Sequence, residues 1–324
     1  MLPSHRLYVG TIGQGVFRST DNGESFARAM DGMFVECHVR ALAVHPRDPR
    51  VLYLGSEQGL FRSLDGAGSW ERVESPLNGL QIWSMVILPH DPDILVVGAC
   101  PSRLFRSADG GRSWTEADVL MRKDCPRIMH TRVTTLLADP VDPQSVWAGV
   151  EIDGVYRSGD AGRTWQKAGQ GLSSLDIHAM AIVPDKDGRK RVLASTNNDV
   201  NLSTDNGETW QPLRLGQSLP CPYFRGLAQL PDQPETILLG NGDGPPGSTG
   251  LIARSIDGGL TWQPTRMPNR ANSTMWNFAT HPAQPQLAYA SSVSGEVYRS
   301  VDAGASWEKL HREFGEIRAL AWTP

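Results

Sequence analysis

Short apolar runs recur along the whole chain, and each sits in the same local frame. Val39-Arg-Ala-Leu-Ala-Val-His-Pro46 and Ile177-His-Ala-Met-Ala-Ile-Val-Pro184 both alternate or cluster apolar residues and both close on proline. A Pro/Asp turn such as Arg47-Asp-Pro49 follows, then a second run such as Val51-Leu-Tyr-Leu-Gly55. A tight turn leads to a third run, such as Gly154-Val-Tyr-Arg-Ser158, and a short polar-alternating run, such as Trp165-Gln-Lys-Ala168, ends the unit. Aromatic and β-branched runs this short, bounded by turn residues, predict strands, four in each unit.

Between the third and fourth runs stands a motif, Ser-x-Asp-x-Gly-x-Ser/Thr-Trp. Its seven copies start at Ser19, Ser63, Ser107, Ser158, Ser203, Ser255 and Ser300, at intervals of 44 to 52 residues. Asp accepts hydrogen bonds from N–H groups inside a bend, and Gly takes a positive φ without penalty, so the motif predicts a hairpin tip. The closing Trp is expected to pack back against the sheet. Two copies depart from the pattern. The second has Ala67 in place of Gly, and the first closes on Phe26.

The motif resembles the Asp box of BNR-repeat proteins, which include sialidases, sortilin-type receptors, xyloglucanases and photosystem II assembly factors. In that family the box joins the third and fourth strands of a propeller blade. The resemblance covers the whole chain and leaves the choice among the family's functions open. Seven units of roughly 46 residues predict one closed array, a single all-β domain over residues 1–324. The register at the ends completes it. The chain starts on a second strand, Leu7 to Gly10, and Glu316 to Pro324 matches the first strand of every other unit. The expected fold is a seven-bladed β-propeller of four-stranded blades, its ring closed by the C-terminal strand.

Composition narrows the partners. The net charge is −4 and no Lys/Arg block occurs, which leaves no electrostatic case for nucleic acid. No apolar run approaches the ~20 residues of a membrane-spanning helix. The opening residues carry no basic–apolar–cleavage pattern, so the sequence as given is expected to be cytoplasmic.

Aligning the innermost strands on their terminal prolines gives a ring of equivalent positions. Six residues before each proline stand Arg318, Arg40, Trp83, Thr134, His178, Arg225 and Trp276; two residues earlier stand Glu316, His38, Gln81, Arg132, Asp176, Tyr223 and Thr274. The next inward positions are apolar, so the top of the channel is expected to be polar and aromatic over an apolar floor. Arg40, Arg225 and Arg318 at one position predict an anion site, because the guanidinium fork matches carboxylate or phosphate. Arg132, Tyr223, His38 and His130 are further candidate ligand contacts, and Trp83 and Trp276 a stacking wall. The bland alternative is that the arginines pair with Glu316, Glu36 or Asp176 and tie blades together.

Glu57 and Glu151 occupy equivalent turns, and with His178 they are the candidates for proton transfer. Two functions stay open: a hydrolase or lyase acting on a small or saccharide-like anion, and a non-catalytic protein-binding module resembling the photosystem II assembly factors. The chain has no Arg-Ile-Pro element and no assignable Tyr/Glu nucleophile pair, and it has seven boxes where sialidases are six-bladed. These departures argue against sialidase activity itself. No cofactor is expected. A metal at His38, His130 and His178 is an alternative without support from spacing. Cys37, Cys100, Cys125 and Cys221 are expected to be free thiols, with a Cys37–Cys125 disulfide as the other possibility.

Overall fold

The structure, a computed structural model, describes residues 3–185 and 187–324. The expected strands form seven four-stranded antiparallel sheets. Blade 1 pairs the C-terminal strand Ile317–Thr323 with Arg6–Thr11, and Gly15–Ser19 and Ala27–Arg28 complete it. Blades 2 to 7 follow in chain order, with innermost strands Ala41–Val44, Gln81–Ile87, Val133–Ala138, Ile177–Pro184, Tyr223–Leu230 and Met275–Thr280. Each innermost strand packs against the next around the ring, and Met275–Thr280 meets Ile317–Thr323 to close it. Among the described residues no helix is long and apolar enough to cross a membrane.

The core lies between the blades. Seven apolar clusters fill the seven blade interfaces. The box Trp of each blade packs into the interface with the preceding blade: Trp70 joins Tyr8 and Leu52, and Trp165 joins Val96 and Leu104. Burying aromatic faces there glues sheet to sheet, which explains why one aromatic recurs in each unit. In blade 1 Phe26 takes that place, edge-on to Phe314 at 5.0 Å.

The boxes repeat one hydrogen-bond pattern. In each, the Ser hydroxyl donates to the Asp Oδ1 at 2.7–2.8 Å and accepts the N–H four residues on. Asp Oδ1 accepts the N–H of the following Ser or Thr, and Oδ2 accepts its hydroxyl at 2.5–2.8 Å. The two residues after Asp both take positive φ, for example Ala161 at 57° and Gly162 at 84°. Ala67 adopts φ 61° in the glycine's place, so the second box keeps its shape with an L-residue in the left-handed region.

Strand register separates the boxes from the ring. Ser63, which opens a box, pairs with Leu52 at the start of the second strand, whereas Gly55 at its far end pairs with Ala41 beside the channel. The boxes and the mouth therefore occupy opposite ends of each blade.

Candidate functional site

One local device builds the mouth. In six blades the pairing of innermost and second strands slips by one residue, a β-bulge. The slip falls at Arg318, Trp83, Thr134, His178, Arg225 and Trp276. Arg40 occupies the equivalent place just before its strand, its N–H donating to Gly55 O at 2.9 Å. A bulge kinks the strand and re-aims the side chain it carries. Opposite the bulge the second strand often carries Gly, as at Gly10 and Gly149. A Cβ there would come within 2.5 Å of Val39 or Ile177 on the next blade. Close approach of neighbouring innermost strands therefore requires glycine at these two positions.

All seven ring residues line one cavity of about 190 Å³ at the head of the channel. Leu227 and Phe278 form its apolar part. The second tier engages the first. Arg132 stacks on Trp83, Tyr223 Oη lies 3.4 Å from His178 Nε2, and Gln81 accepts the Trp83 Nε1–H at 3.3 Å.

Each of the two indoles at the mouth is flanked by two guanidinium groups. Arg40 and Arg132, from the blades on either side of Trp83, lie 4.6 Å and 4.3 Å from its ring centroid. Arg225 and Arg318 flank Trp276 in the same way, at 3.8 Å and 4.6 Å. Cation–π contact holds each guanidinium plane and partly offsets its desolvation. Two of the four arginines also have an acidic partner: Arg318 pairs with Glu316, and Arg132 with Glu151. The other two have none within ion-pair distance among the described residues. Arg225 is 7% exposed, and the one hydrogen bond of its guanidinium among the described residues is a long one, 3.5 Å to Tyr223 Oη. Arg40 Nε is buried without a hydrogen-bond partner. Burial, with Arg318 and Arg132 nearby, pushes the Arg40 pKa down against the longer-range pull of Glu57 and Glu316; burial does the same to Arg225 against Tyr223, Glu151 and Asp176. Both remain cations at neutral pH, at a cost.

The candidate proton-transfer groups are each engaged. Glu57 accepts the His38 N–H at 2.9 Å. Burial raises the Glu151 pKa against the pull of Arg132. His178 is buried, with Nδ1 2.7 Å from Phe224 O and Nε2 3.4 Å from Asp176. Burial and then Arg225 lower its pKa, so the ring is neutral at pH 7. For Asp176 burial acts upward, but His178, Arg225 and Arg132 outweigh it and hold the carboxyl below its ordinary range. No carboxylate lines the cavity itself.

Other candidates stand apart. His38 is half-buried and does not line the cavity, and neither does His130, which sits on the hairpin Asp124–Cys125/Met129–His130, 2.9 Å from Asp124. Among the described residues no three His, Cys, Asp or Glu stand close enough to hold a metal ion, and the four cysteines are free thiols, with no Cys37–Cys125 bond. Asp153 and Asp199, on the turns between second and third strands, are structural anchors. Asp153 accepts from Arg122 N–H, Tyr156 Oη–H and Lys167 Nζ, and Asp199 accepts from three backbone N–H groups.

Sequence reasoning missed the bulges and a second hollow of about 380 Å³. This hollow shares Trp276 and Arg318 with the cavity and is walled by Pro245, Pro246, Val293 and Phe314. The Gly- and Pro-rich stretch from Gly240 to Gly250 was its signal. Its flanking strands run to Gly242 and from Gly250, and Asp243 ties the turn through Ser248 and Thr249. A larger hollow of about 830 Å³ lies between the boxes of blades 4 and 5. It is a broad surface groove lined by structural box residues, and the candidate chemistry is at the mouth.

The BNR/Asp-box repeat model matches residues 202–212. The chain is 26% identical, over 79% of its length, to a probable oligoxyloglucan-reducing end-specific xyloglucanase of Neosartorya fischeri, of which it covers 31%. It spans less than a third of the length of the curated relatives it matches. The GH74 xyloglucanase from Xanthomonas campestris superposes with a TM-score of 0.63 at 21% identity, over 94% of this chain and 47% of that one. YCF48 bound to D1 peptide superposes with a TM-score of 0.54 at 15% identity, over 84% of this chain and 81% of that one. These structural likenesses show the fold.

Proposed function

We propose that this protein, a seven-bladed β-propeller of BNR/Asp-box repeats, binds a small anionic group at the mouth of its channel. One observation carries the reading: Arg40 and Arg225 face one cavity without an acidic partner, while Arg132 and Arg318 beside them are paired. A buried cation without a direct partner is expensive, and an anion that accepts its hydrogen bonds offsets that cost. The anion belongs to a free small molecule or to a group on a larger saccharide or protein partner. The names of the xyloglucanase relatives and of YCF48 bound to D1 peptide favour a saccharide or a protein partner, and neither names an anion. Each indole is already covered by two guanidinium groups, so stacking on a sugar ring is not the main contact offered.

Calorimetric titration of inorganic phosphate, sulfate and acetate into the parent and the double variant Arg40→Met/Arg225→Met tests this reading. Removing both of these charged hydrogen-bond donors should weaken binding by at least about 1.5–3 kcal/mol. Equal affinity in parent and variant would contradict the proposal.

A second reading, hydrolysis of a saccharide at the same mouth, draws on one feature. Glu151 and Asp176, both close to Arg132 and Arg225, are pushed in opposite directions, as an acid and a base would be. A paired-carboxylate mechanism needs both groups facing the scissile bond, and neither lines the cavity. Turnover of xyloglucan oligosaccharides by the parent, lost in both Glu151→Gln and Asp176→Asn, would favour it. Anion binding without turnover favours the binding role alone.

A further inference from the structure

Resting on the anion-site reading, we infer that the preferred ligand carries two carboxylates joined by a short carbon chain, one for Arg40 and one for Arg225. The two guanidinium groups without a direct ion pair sit far apart on the ring. Arg225 belongs to blade 6 and Arg40 to blade 2, so on a ring of seven they are three blades apart one way and four the other. They approach the cavity from nearly opposite sides. The paired Arg318 lies between them on the shorter arc, and neutral Thr134 and His178 lie on the longer one.

Three further features select the ligand's shape. Each unpaired guanidinium is stacked on a Trp, at 4.6 Å for Arg40 and 3.8 Å for Arg225. Cation–π contact covers a face of each guanidinium, and apart from the long contact from Arg225 to Tyr223 Oη their N–H groups have no partner among the described residues; a planar carboxylate can accept two N–H groups of one guanidinium at once. The cavity of about 190 Å³ holds about six waters at ~30 Å³ each. That volume matches a molecule of several carbons with a polar group at each end. Between the two arginines the wall includes Leu227, Phe278 and Ala179, which offer methylene contacts and no charge. Two carboxylates on the ligand match in number the two guanidinium groups that have no direct ion pair among the described residues.

Calorimetry on the full chain with succinate, glutarate, butyrate and phosphate tests this. The parent should bind one of the two dicarboxylates at least tenfold more tightly than butyrate or phosphate. Arg40→Met and Arg225→Met should each weaken dicarboxylate binding at least tenfold. Each should weaken butyrate binding no more than threefold, because a monocarboxylate can use the arginine that remains. If either methionine variant fails to fold, Arg40→Lys and Arg225→Lys, which keep the charge but lose the planar fork, carry the same comparison. Butyrate or phosphate binding as tightly as both dicarboxylates would overturn the inference and leave the anion site standing. So would equal losses for mono- and dicarboxylate in the single variants. Absence of binding by all four probes would overturn both.

Discussion

The two ends of each blade place polar residues at repeat-equivalent positions and use them in opposite ways. At the box end the residues are nearly the same in every blade, and the carboxylates are saturated: each Asp accepts from the Ser before it and from the N–H and hydroxyl after it. At the mouth, one backbone position carries Arg, Arg, Trp, Thr, His, Arg and Trp, and two of its cations lack acidic partners. Repetition with saturation marks a part whose work ends in folding. Variation with unspent hydrogen-bonding capacity marks a part that waits for something else. An unpartnered buried polar group costs more than a typical hydrogen bond contributes, so its presence at the mouth requires a compensating role.

The largest effect should come from breaking the frame that both ends share. Deleting Glu316 to Pro324 removes the innermost strand of blade 1 and Arg318, and exposes the edges of Arg6–Thr11 and of the neighbouring blades. Cooperative thermal unfolding, followed by near-ultraviolet circular dichroism, should disappear. A truncated chain that melts like the parent would show that ring closure is dispensable.

Next come the boxes. Asp160→Ala strips Ser158, Arg163 and Thr164 of a shared acceptor and should cost about 1–2 kcal/mol by denaturant titration, reduced from the fully buried case by solvent exposure. Anion affinity should be unchanged. The boxes also set the acid limit. Hydrogen bonds from Ser and Thr hydroxyls and backbone N–H groups hold Asp21, Asp65 and Asp205 at about 2, and the same bonds outweigh burial to hold Asp160 at about 2, each against an ordinary 3.8. With the folded pKa below the unfolded one, their contribution is present above about pH 4 and is lost as pH falls toward 2. Unfolding free energy should fall through that window, and Asp160→Asn should make the fall shallower. A pH-independent stability from 4 to 2 would contradict this account of the boxes.

At the mouth the sign reverses. Without ligand, Arg225→Met should leave stability within about 1 kcal/mol of the parent or raise it, because it removes a buried, unpaired charge. A loss of 3 kcal/mol or more would show that Arg225 serves folding. The smallest change lies in the second box, where Ala67→Gly relieves a left-handed residue at the expense of a buried methyl. A gain of about 0.5–1 kcal/mol is expected, measurable as a shift in the denaturation midpoint. A loss would mean that the packing of Ala67 outweighs its strain.

The fold was almost fully legible in the sequence because box, turns and strand order are local features repeated seven times. Alignment on the terminal prolines also placed Arg40, Arg225, Arg318, Trp83, Trp276 and His178 in one ring, which needs only a constant register. What escaped is non-local. The bulge that turns each ring residue inward depends on how neighbouring innermost strands cross. Its trace in the sequence was the repeated glycine of the second strand, at Gly10, Gly55, Gly98 and Gly149. Pairing of Arg318 with Glu316 and of Arg132 with Glu151, but of neither Arg40 nor Arg225, depends on side-chain reach across the mouth. Charge counting along the chain could not separate the spent arginines from the free ones. His130 was misjudged as part of this neighbourhood because it precedes an innermost strand in sequence, whereas its hairpin carries it to the surface.

The account rests on the free cations at the mouth, and thermal unfolding reads them directly. The parent and the double variant Arg40→Met/Arg225→Met would be melted in sodium sulfate and in sodium chloride at equal ionic strength. An anion bound only by the folded state raises the midpoint, and general salting-out cancels in the comparison of the two proteins. The account predicts a sulfate-specific rise in the parent that the double variant lacks. An equal rise in both proteins would contradict it.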